Sequence, residues 1–213
     1  MTFIRHYSDR LFHFIILGFF MFIPNIISSQ NINYEKIIIS ELESYENNQN
    51  SILTDTIEEY GILKNPHIDI NTLVQTKVFI FKRIKDEFEP QLHVWYYFDK
   101  KTNENKGINY NWGLFNPSFN PSKNKAKLIE LSKKEIVFKD KYKSLKEKLI
   151  LDLGQPIKSE TISDNEYIFI EENFWEDDTK IVDLSIEFNR KLKEISGIGI
   201  MGDFRINIMI TYK

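Results

Sequence analysis

Cysteine is absent from this chain of 213 residues. Disulfide bonds therefore contribute nothing to its stability, and both a cysteine nucleophile and a lipid-modified cysteine are excluded. Glycine is sparse, with 8 residues, and the cluster from Ser196 to Gly202 lacks the strand and helix context of a dinucleotide site. A chain of this length can nevertheless bury a sufficient hydrophobic core without covalent staples.

Histidine is almost as scarce, because beyond residue 29 the sequence contains His67 and His93 alone. A transition-metal site would therefore have to rely on carboxylates. The sequence contains no His-Glu-x-x-His, Gly-x-Ser-x-Gly or Walker motif. We therefore predict no catalytic residue and no cofactor, although a triad assembled by the fold stays an open alternative.

A strong excess of charge is also lacking, since the net charge is −3. No global positive field is available to attract nucleic acid, so a nucleic-acid partner is not expected. The charges are unevenly distributed, however. A lysine-rich segment (123–148) precedes an acidic one (160–187), and the simplest interpretation is two solvated surfaces.

Residues 1–29 have the pattern of a secretory signal peptide. Arg5 and Arg10 precede an apolar run from Leu11 to Ile27, and Ser28 and Ser29 are small residues suited to cleavage. The alternative is an uncleaved membrane anchor, although about 17 residues is short for a membrane span. Either interpretation exports the remainder, so we expect a periplasmic or extracellular protein that contacts a membrane only through an uncleaved N-terminal segment.

The N-terminal part, residues 30–118, is expected to form two helices followed by a meander. Leu53, Ile57 and Tyr60 lie at i, i+4 and i+7, which is typical of a helix. Later residues alternate between polar and apolar, which is typical of strands. The predicted elements are helices over 31–50 and 54–60 and strands over 74–84, 91–98 and 107–114.

The C-terminal part, residues 119–213, is expected to form a helix and four strands. Asp140 is predicted to cap the helix, and Gly154 and Pro156 to end it through a left-handed residue and a helix breaker. Residues 123–134 fit either a helix or a strand. The predicted elements are a helix over 140–153 and strands over 157–163, 166–175, 180–188 and 204–212.

This order of elements predicts an α+β fold of antiparallel β-sheet meanders with helices packed on one face. Two similar helix-backed subdomains, 30–118 and 119–213, fit the pattern about as well as one continuous domain.

Residues 140–188, with the Leu153-Gly154-Gln155-Pro156 sequence and the later Trp175, resemble the small outer-membrane-assembly lipoproteins of the BamE type. The lipidated cysteine of that family is absent here. The resemblance therefore implies neither membrane attachment nor partners for this chain.

Large flat side chains in the first meander form the first candidate site, for ligand binding. His93, Trp95 and Tyr97 alternate on one face of their strand, and Tyr110 and Trp112 share a face of the next strand. An exposed aromatic face would be a stacking platform for a sugar, a peptide or a partner protein. The alternative is a sheet that is buried on both faces.

A dense acidic cluster forms the second candidate site, for metal binding. Its carboxylates suit Ca²⁺, or a pair of them suits glycoside hydrolysis, and the plainer alternative is a charged turn between two strands. The cluster consists of Glu171, Glu172, Glu176, Asp177 and Asp178.

From these features we expect an exported, non-catalytic binding or protein-interaction protein of the cell envelope. Its partner would be an envelope protein or an extracellular glycan or peptide. The alternative is an exported hydrolase that acts on glycans or peptides through carboxylates.

Overall fold

The computed structural model describes residues 31–63, 73–113, 125–195, 199–201 and 203–213. The chain divides into two units, Met1–Asn33 and Tyr34–Lys213, and the elements below belong to the second. The predicted signal peptide, His67 and the predicted boundary at residue 118 lie outside the described residues.

The described part contains helices and a larger number of strands. The helices are α1 (Leu42–Asn48), α2 (Lys125–Leu131) and α3 (Glu135–Leu153). The strands are β1 (Ser51–Leu63), β2 (Leu73–Arg83), β3 (Leu92–Asp99), β4 (Asn105–Gly113), β5 (Lys158–Asp164), β6 (Ile168–Glu176), β7 (Lys180–Asn189), β8 (Lys193–Ile195), β9 (Gly199–Met201) and β10 (Phe204–Tyr212).

Eight of the strands form one antiparallel sheet in the order β1-β2-β3-β4-β10-β7-β6-β5. The first four strands form one meander, and β5, β6, β7 and β10 form a second. The last strands of the two meanders, β4 and β10, pair in the centre, where Ile208 lies opposite Tyr110. The short strands β8 and β9, which follow β7 and precede β10 in the sequence, pair with each other in a separate two-stranded sheet.

One face of this sheet is apolar and forms the main core. On β10, Phe204, Ile206, Ile208 and Ile210 are buried, because strict alternation places them all on the same side. Phe138 of α3 packs on this face, with its ring centroid 5.3 Å from that of Phe188 on β7 and 6.4 Å from that of Phe204. We call this side the apolar face; it carries the buried residues Leu92, Val94, Tyr96, Ile108, Tyr110, Trp112, Leu184, Ile186 and Phe188.

Helix α1 is fastened to the first meander by a buried ion pair. Arg83 of β2 donates to Glu46 Oε1 at 2.8 Å, and both side chains are almost fully buried. The hydroxyls of Tyr96 and Ser51 also donate to the Glu46 carboxylate. Since an unpaired buried charge is costly, this network fixes the position of the helix.

The prediction of an antiparallel sheet combined with helices is confirmed. The strand predicted over 204–212 has the observed bounds, and the others differ by a few residues at their ends. Residues 125–131 form a helix, which resolves the type that the sequence left open.

The helix predicted over 54–60 is wrong, because these residues belong to β1. The register of β1 against β2 shifts between Leu53 and Asp55 and again between Ile57 and Tyr60. The second shift adds a residue to the period of two, so Ile57 and Tyr60 share a face although they are three residues apart, as they would in a helix. Leu53 lies on the other face and is 51% exposed.

The ends of the other helices also differ from the predictions. The first helix covers Leu42–Asn48 and not 31–50. Helix α3 begins at Glu135, so Asp140 lies inside it and does not cap it. Gly154 does end it, with a positive φ of 84°, and its carbonyl accepts a hydrogen bond of 2.8 Å from Trp175 Nε1.

Candidate functional site

The second face of the sheet is polar at its centre. On β4, β7 and β10 the odd-numbered residues point away from the apolar face, as the strand registers require. We call this side the polar face; on these three strands it carries Asn109, Asn111, Ile181, Asp183, Ser185, Glu187, Arg205, Asn207, Met209 and Thr211.

Register aligns these side chains into two rows across the sheet. The first row runs through the directly opposed residues His93, Asn111, Asn207, Ser185 and Glu172. The second row runs through Trp95, Asn109, Met209, Asp183 and Phe174. Opposed side chains lie about 5 Å apart at their Cβ atoms, so each row is a continuous strip.

Four buried side-chain oxygens in these rows have no hydrogen-bond partner among the described residues. They are the Oδ1 atoms of Asn109, Asn111, Asn207 and Asp183. Asn111 is the most deeply buried of the four residues, with 6% of its surface exposed. A buried polar atom that lacks a partner costs about 1–3 kcal/mol. Four of them on three adjacent strands are therefore a feature that requires an explanation.

Asp183 has the most perturbed ionisation in these rows. Burial, with a smaller contribution from repulsion by Glu172, raises the pKa of Asp183 to about 7. Neither Asp183 nor Glu172 forms an ion pair with a basic side chain in the part of the chain that the structure describes. Arg205, the basic residue of β10, is paired with Glu187 at 2.5 Å.

Glycine residues of β4 make room for the Asn111 side chain. A Cβ atom on Gly113 would lie 2.6 Å from Asn111 Oδ1, and one on Gly107 would lie 2.7 Å from the carbonyl oxygen of Ile210. Both distances are shorter than real Cβ contacts. The glycines at the two ends of β4 therefore allow the central pair β4–β10 to close and the Asn111 amide to occupy its position.

The structure divides the five predicted aromatic-site residues between the two faces. Tyr110 and Trp112 are fully buried on the apolar face. His93, Trp95 and Tyr97 lie on the polar face, where His93 is partly buried and the other two are 4% exposed.

Trp95 and Tyr97 have a further aromatic neighbour. The ring of Tyr60 lies 6.5 Å from that of Trp95 and 5.8 Å from that of Tyr97, and Tyr60 itself is 39% exposed. A ligand that stacks on either ring would have to displace Tyr60. The stacking platform stays a prediction.

The predicted acidic cluster is not brought together. Glu171 lies on the apolar face and pairs with Lys146 at 3.0 Å, whereas Glu172 lies on the polar face. Within the described ranges, no group of three or more His, Cys, Asp or Glu side chains is arranged to hold a metal ion.

The remaining acidic residues of the cluster lie at the β6–β7 turn. Asp177 Oδ1 accepts hydrogen bonds from the hydroxyl of Thr179 and from the backbone N–H groups of Thr179 and Lys180, and these bonds hold the pKa of Asp177 well below its ordinary value. Glu176 pairs with Lys213 at 2.8 Å, and Asp178 is exposed. The turn is charged and its Asp177 carboxylate stabilises the backbone.

The sequence interpretation missed Asn109, Asn111, Asn207 and Asp183. A clue was nevertheless present, because asparagine and aspartate are depleted in strands and yet recur here at alternate positions. Their alignment depends on which strands are neighbours, and that information comes from the fold.

No protein-family model, curated protein or solved structure matches this chain. Of the helices that the structure describes, none is long and apolar enough to cross a membrane.

Proposed function

We propose that this protein is an exported, non-catalytic binding protein of the cell envelope, and that the polar face of β4, β10 and β7 is its binding surface. In this proposal the helices pack on the apolar face and leave the opposite face to the partner. The partner would be an envelope protein or an extracellular glycan or peptide.

The observation that supports this proposal is the group of four buried oxygens without partners. In a sheet with a purely structural role, apolar or β-branched residues at these positions would give a more stable protein. Polar groups that lower stability without a local benefit are typical of functional surfaces. A bound partner that donates hydrogen bonds would satisfy these atoms.

Affinity capture from the native envelope fraction tests the proposal. We compare the wild-type protein with an Asn207→Val variant and a Thr161→Val control, since Thr161 is an exposed residue of the edge strand β5. We expect a partner that is retained by the wild type and the control and lost by Asn207→Val. Equal recovery by all three proteins would refute the proposed surface.

A specific observation supports a second candidate, an exported hydrolase. Asp183 and Glu172 lie diagonally across β7 and β6, and the pKa of Asp183 is raised to about 7. A carboxylic acid that keeps its proton beside an ionised carboxylate is the pair that glycoside hydrolysis uses. Turnover of a glycan library that is lost in both Asp183→Asn and Glu172→Gln would support the hydrolase. No turnover by the wild type would eliminate it.

A further inference from the structure

A cleft of about 220 Å³ lies beside the C-terminal end of helix α3. Its apolar lining consists of Leu153 of α3, Ile157 of the connection to β5, and the opposed residues Trp175 of β6 and Val182 of β7. Val182 and Trp175 lie on the apolar side of the sheet, as the strand registers require. The cleft is therefore separate from the polar face, and a binding site here would be an additional one.

Hydrogen bonds fix the apolar part of the cleft. Trp175 Nε1 donates to the carbonyl oxygen of Gly154 at 2.8 Å, and the backbone N–H of Ile157 donates to that of Phe174 at 2.8 Å. The side chain of Ile157 is nevertheless 65% exposed. A ligand that covers this side chain would remove apolar surface from water, which favours binding to a site that is already formed.

The polar part of the lining has balanced charges. Lys180 Nζ pairs with Asp177 Oδ2 at 3.0 Å, and Glu176 Oε1 pairs with Lys213 Nζ at 2.8 Å. The exposed amide of Gln155 adds a neutral polar group. Because two ammonium groups compensate two carboxylates, the cleft favours an uncharged ligand over an anion or a cation.

The hydrogen-bonding groups of this lining place a second condition on the ligand. The carboxylates accept hydrogen bonds, the lysine ammonium donates them, and the glutamine amide does both. A purely apolar ligand would remove water from these groups without replacing its hydrogen bonds, which opposes binding. Hydroxyl groups both donate and accept, so they can replace the water at each of these side chains.

From this lining we infer that the cleft binds one neutral saccharide ring, with its C–H groups against the apolar side chains and its hydroxyl groups on the polar ones. A sugar ring meets both conditions, because it is uncharged and carries hydroxyl groups around an apolar face. The volume of about 220 Å³ is below the roughly 300–1,000 Å³ of sites for drug-sized ligands, so the cleft admits a single ring.

The test follows the indole N–H signals of the protein in ¹H–¹⁵N NMR spectra. The chain has three tryptophans, and the signal of Trp175 is the one that Trp175→Phe removes. Trp95 and Trp112 lie outside the cleft and serve as internal controls. The saccharide probes are the methyl glycosides of glucose, galactose, mannose and N-acetylglucosamine. Cyclohexylmethanol represents an apolar ring, and N-acetylphenylalaninamide represents an apolar peptide side chain.

We expect a saturable shift of the Trp175 signal with at least one glycoside, and binding of cyclohexylmethanol weaker by about tenfold or more. Gln155→Ala removes a hydrogen-bonding group and Ile157→Ser an apolar wall, and each should weaken glycoside binding by about fivefold. Both positions are exposed, so the variants should fold. The matched control Ile162→Ser changes an exposed isoleucine of β5 outside the cleft and should leave the affinity unchanged.

The absence of a saturable Trp175 shift with all four glycosides would overturn the inference. Tighter binding of N-acetylphenylalaninamide or cyclohexylmethanol than of every glycoside would also overturn it, and would assign the cleft to an apolar group. Equal weakening by Ile157→Ser and Ile162→Ser would place the saccharide elsewhere. Binding at the polar face does not depend on any of these results, because the two sites lie on different sides of the sheet.

Discussion

Asp183 connects the polar face to protein stability, because its buried carboxyl has a pKa raised from 3.8 to about 7. Between these two values the unfolded chain has lost the proton while the folded protein retains it. Folding is therefore favoured less as the pH rises through this window, and the contribution is greatest below pH 3.8.

Replacing Asp183 by Asn removes this pH dependence. We expect the free energy of unfolding of Asp183→Asn, measured relative to that of the wild type, to increase by up to roughly 3 kcal/mol when the pH is raised from 4.5 to 8. Urea denaturation at the two pH values measures this difference. Asp178→Asn serves as the control, and parallel pH profiles for the wild type and Asp183→Asn would contradict a raised pKa.

Asn207 should lower stability in the absence of a partner. Its Oδ1 atom is buried without a hydrogen bond from any described residue, on a central strand that favours β-branched side chains. We expect Asn207→Val to raise the free energy of unfolding by about 1 kcal/mol, which thermal denaturation detects as a higher Tm. A lower Tm for this variant would mean that the amide has a structural role.

At the scale of elements, the attachment of α1 depends on Glu46. In Glu46→Ala, Arg83 loses the carboxylate that forms its buried ion pair, and Tyr96 loses its hydrogen-bond acceptor. We therefore expect a loss of roughly 3–5 kcal/mol in the free energy of unfolding, measured by denaturation with urea. Glu43→Ala removes an exposed carboxylate from the same helix and should change stability little. Equal losses in the two variants would contradict the account of α1.

The regular alternation of β10 was readable from the sequence, whereas the irregular β1 was not. The alternation from Phe204 to Tyr212 gave the bounds of β10, because every second residue enters the apolar core. In β1 the register shift between Ile57 and Tyr60 puts both residues on one face at a helical spacing of three, and Leu53 lies on the other face. A register shift can therefore give a strand a local pattern that is typical of a helix.

The candidate site was less predictable than the strands that carry it. The sequence drew attention to aromatic residues and to a run of carboxylates that are adjacent in the chain. Each row of the polar face combines residues from β3, β4, β10, β7 and β6, which strand pairing brings together. Asn111 of β4, for example, lies opposite Asn207 of β10. No local pattern reports that β4 and β10 are neighbours, since the helices α2 and α3, the main-sheet strands β5, β6 and β7 and the short strands β8 and β9 separate them in sequence.

At the scale of the whole molecule, two meanders share one sheet through the β4–β10 pair. The polar face extends across this junction, with Asn109 and Asn111 from the first meander and Asn207 and Asp183 from the second. Neither meander alone contains the full set of acceptors. The binding surface that we propose therefore depends on the assembled sheet.

A photo-crosslinking amino acid placed on the polar face tests this account most directly. Ser185 lies in the first row between Asn207 and Glu172, whereas Lys101 is exposed in the turn between β3 and β4. After illumination of the native envelope fraction, we expect a discrete crosslinked partner from position 185 and none from position 101. No crosslink from position 185, or the same products from both positions, would contradict the assignment of the polar face as the binding surface.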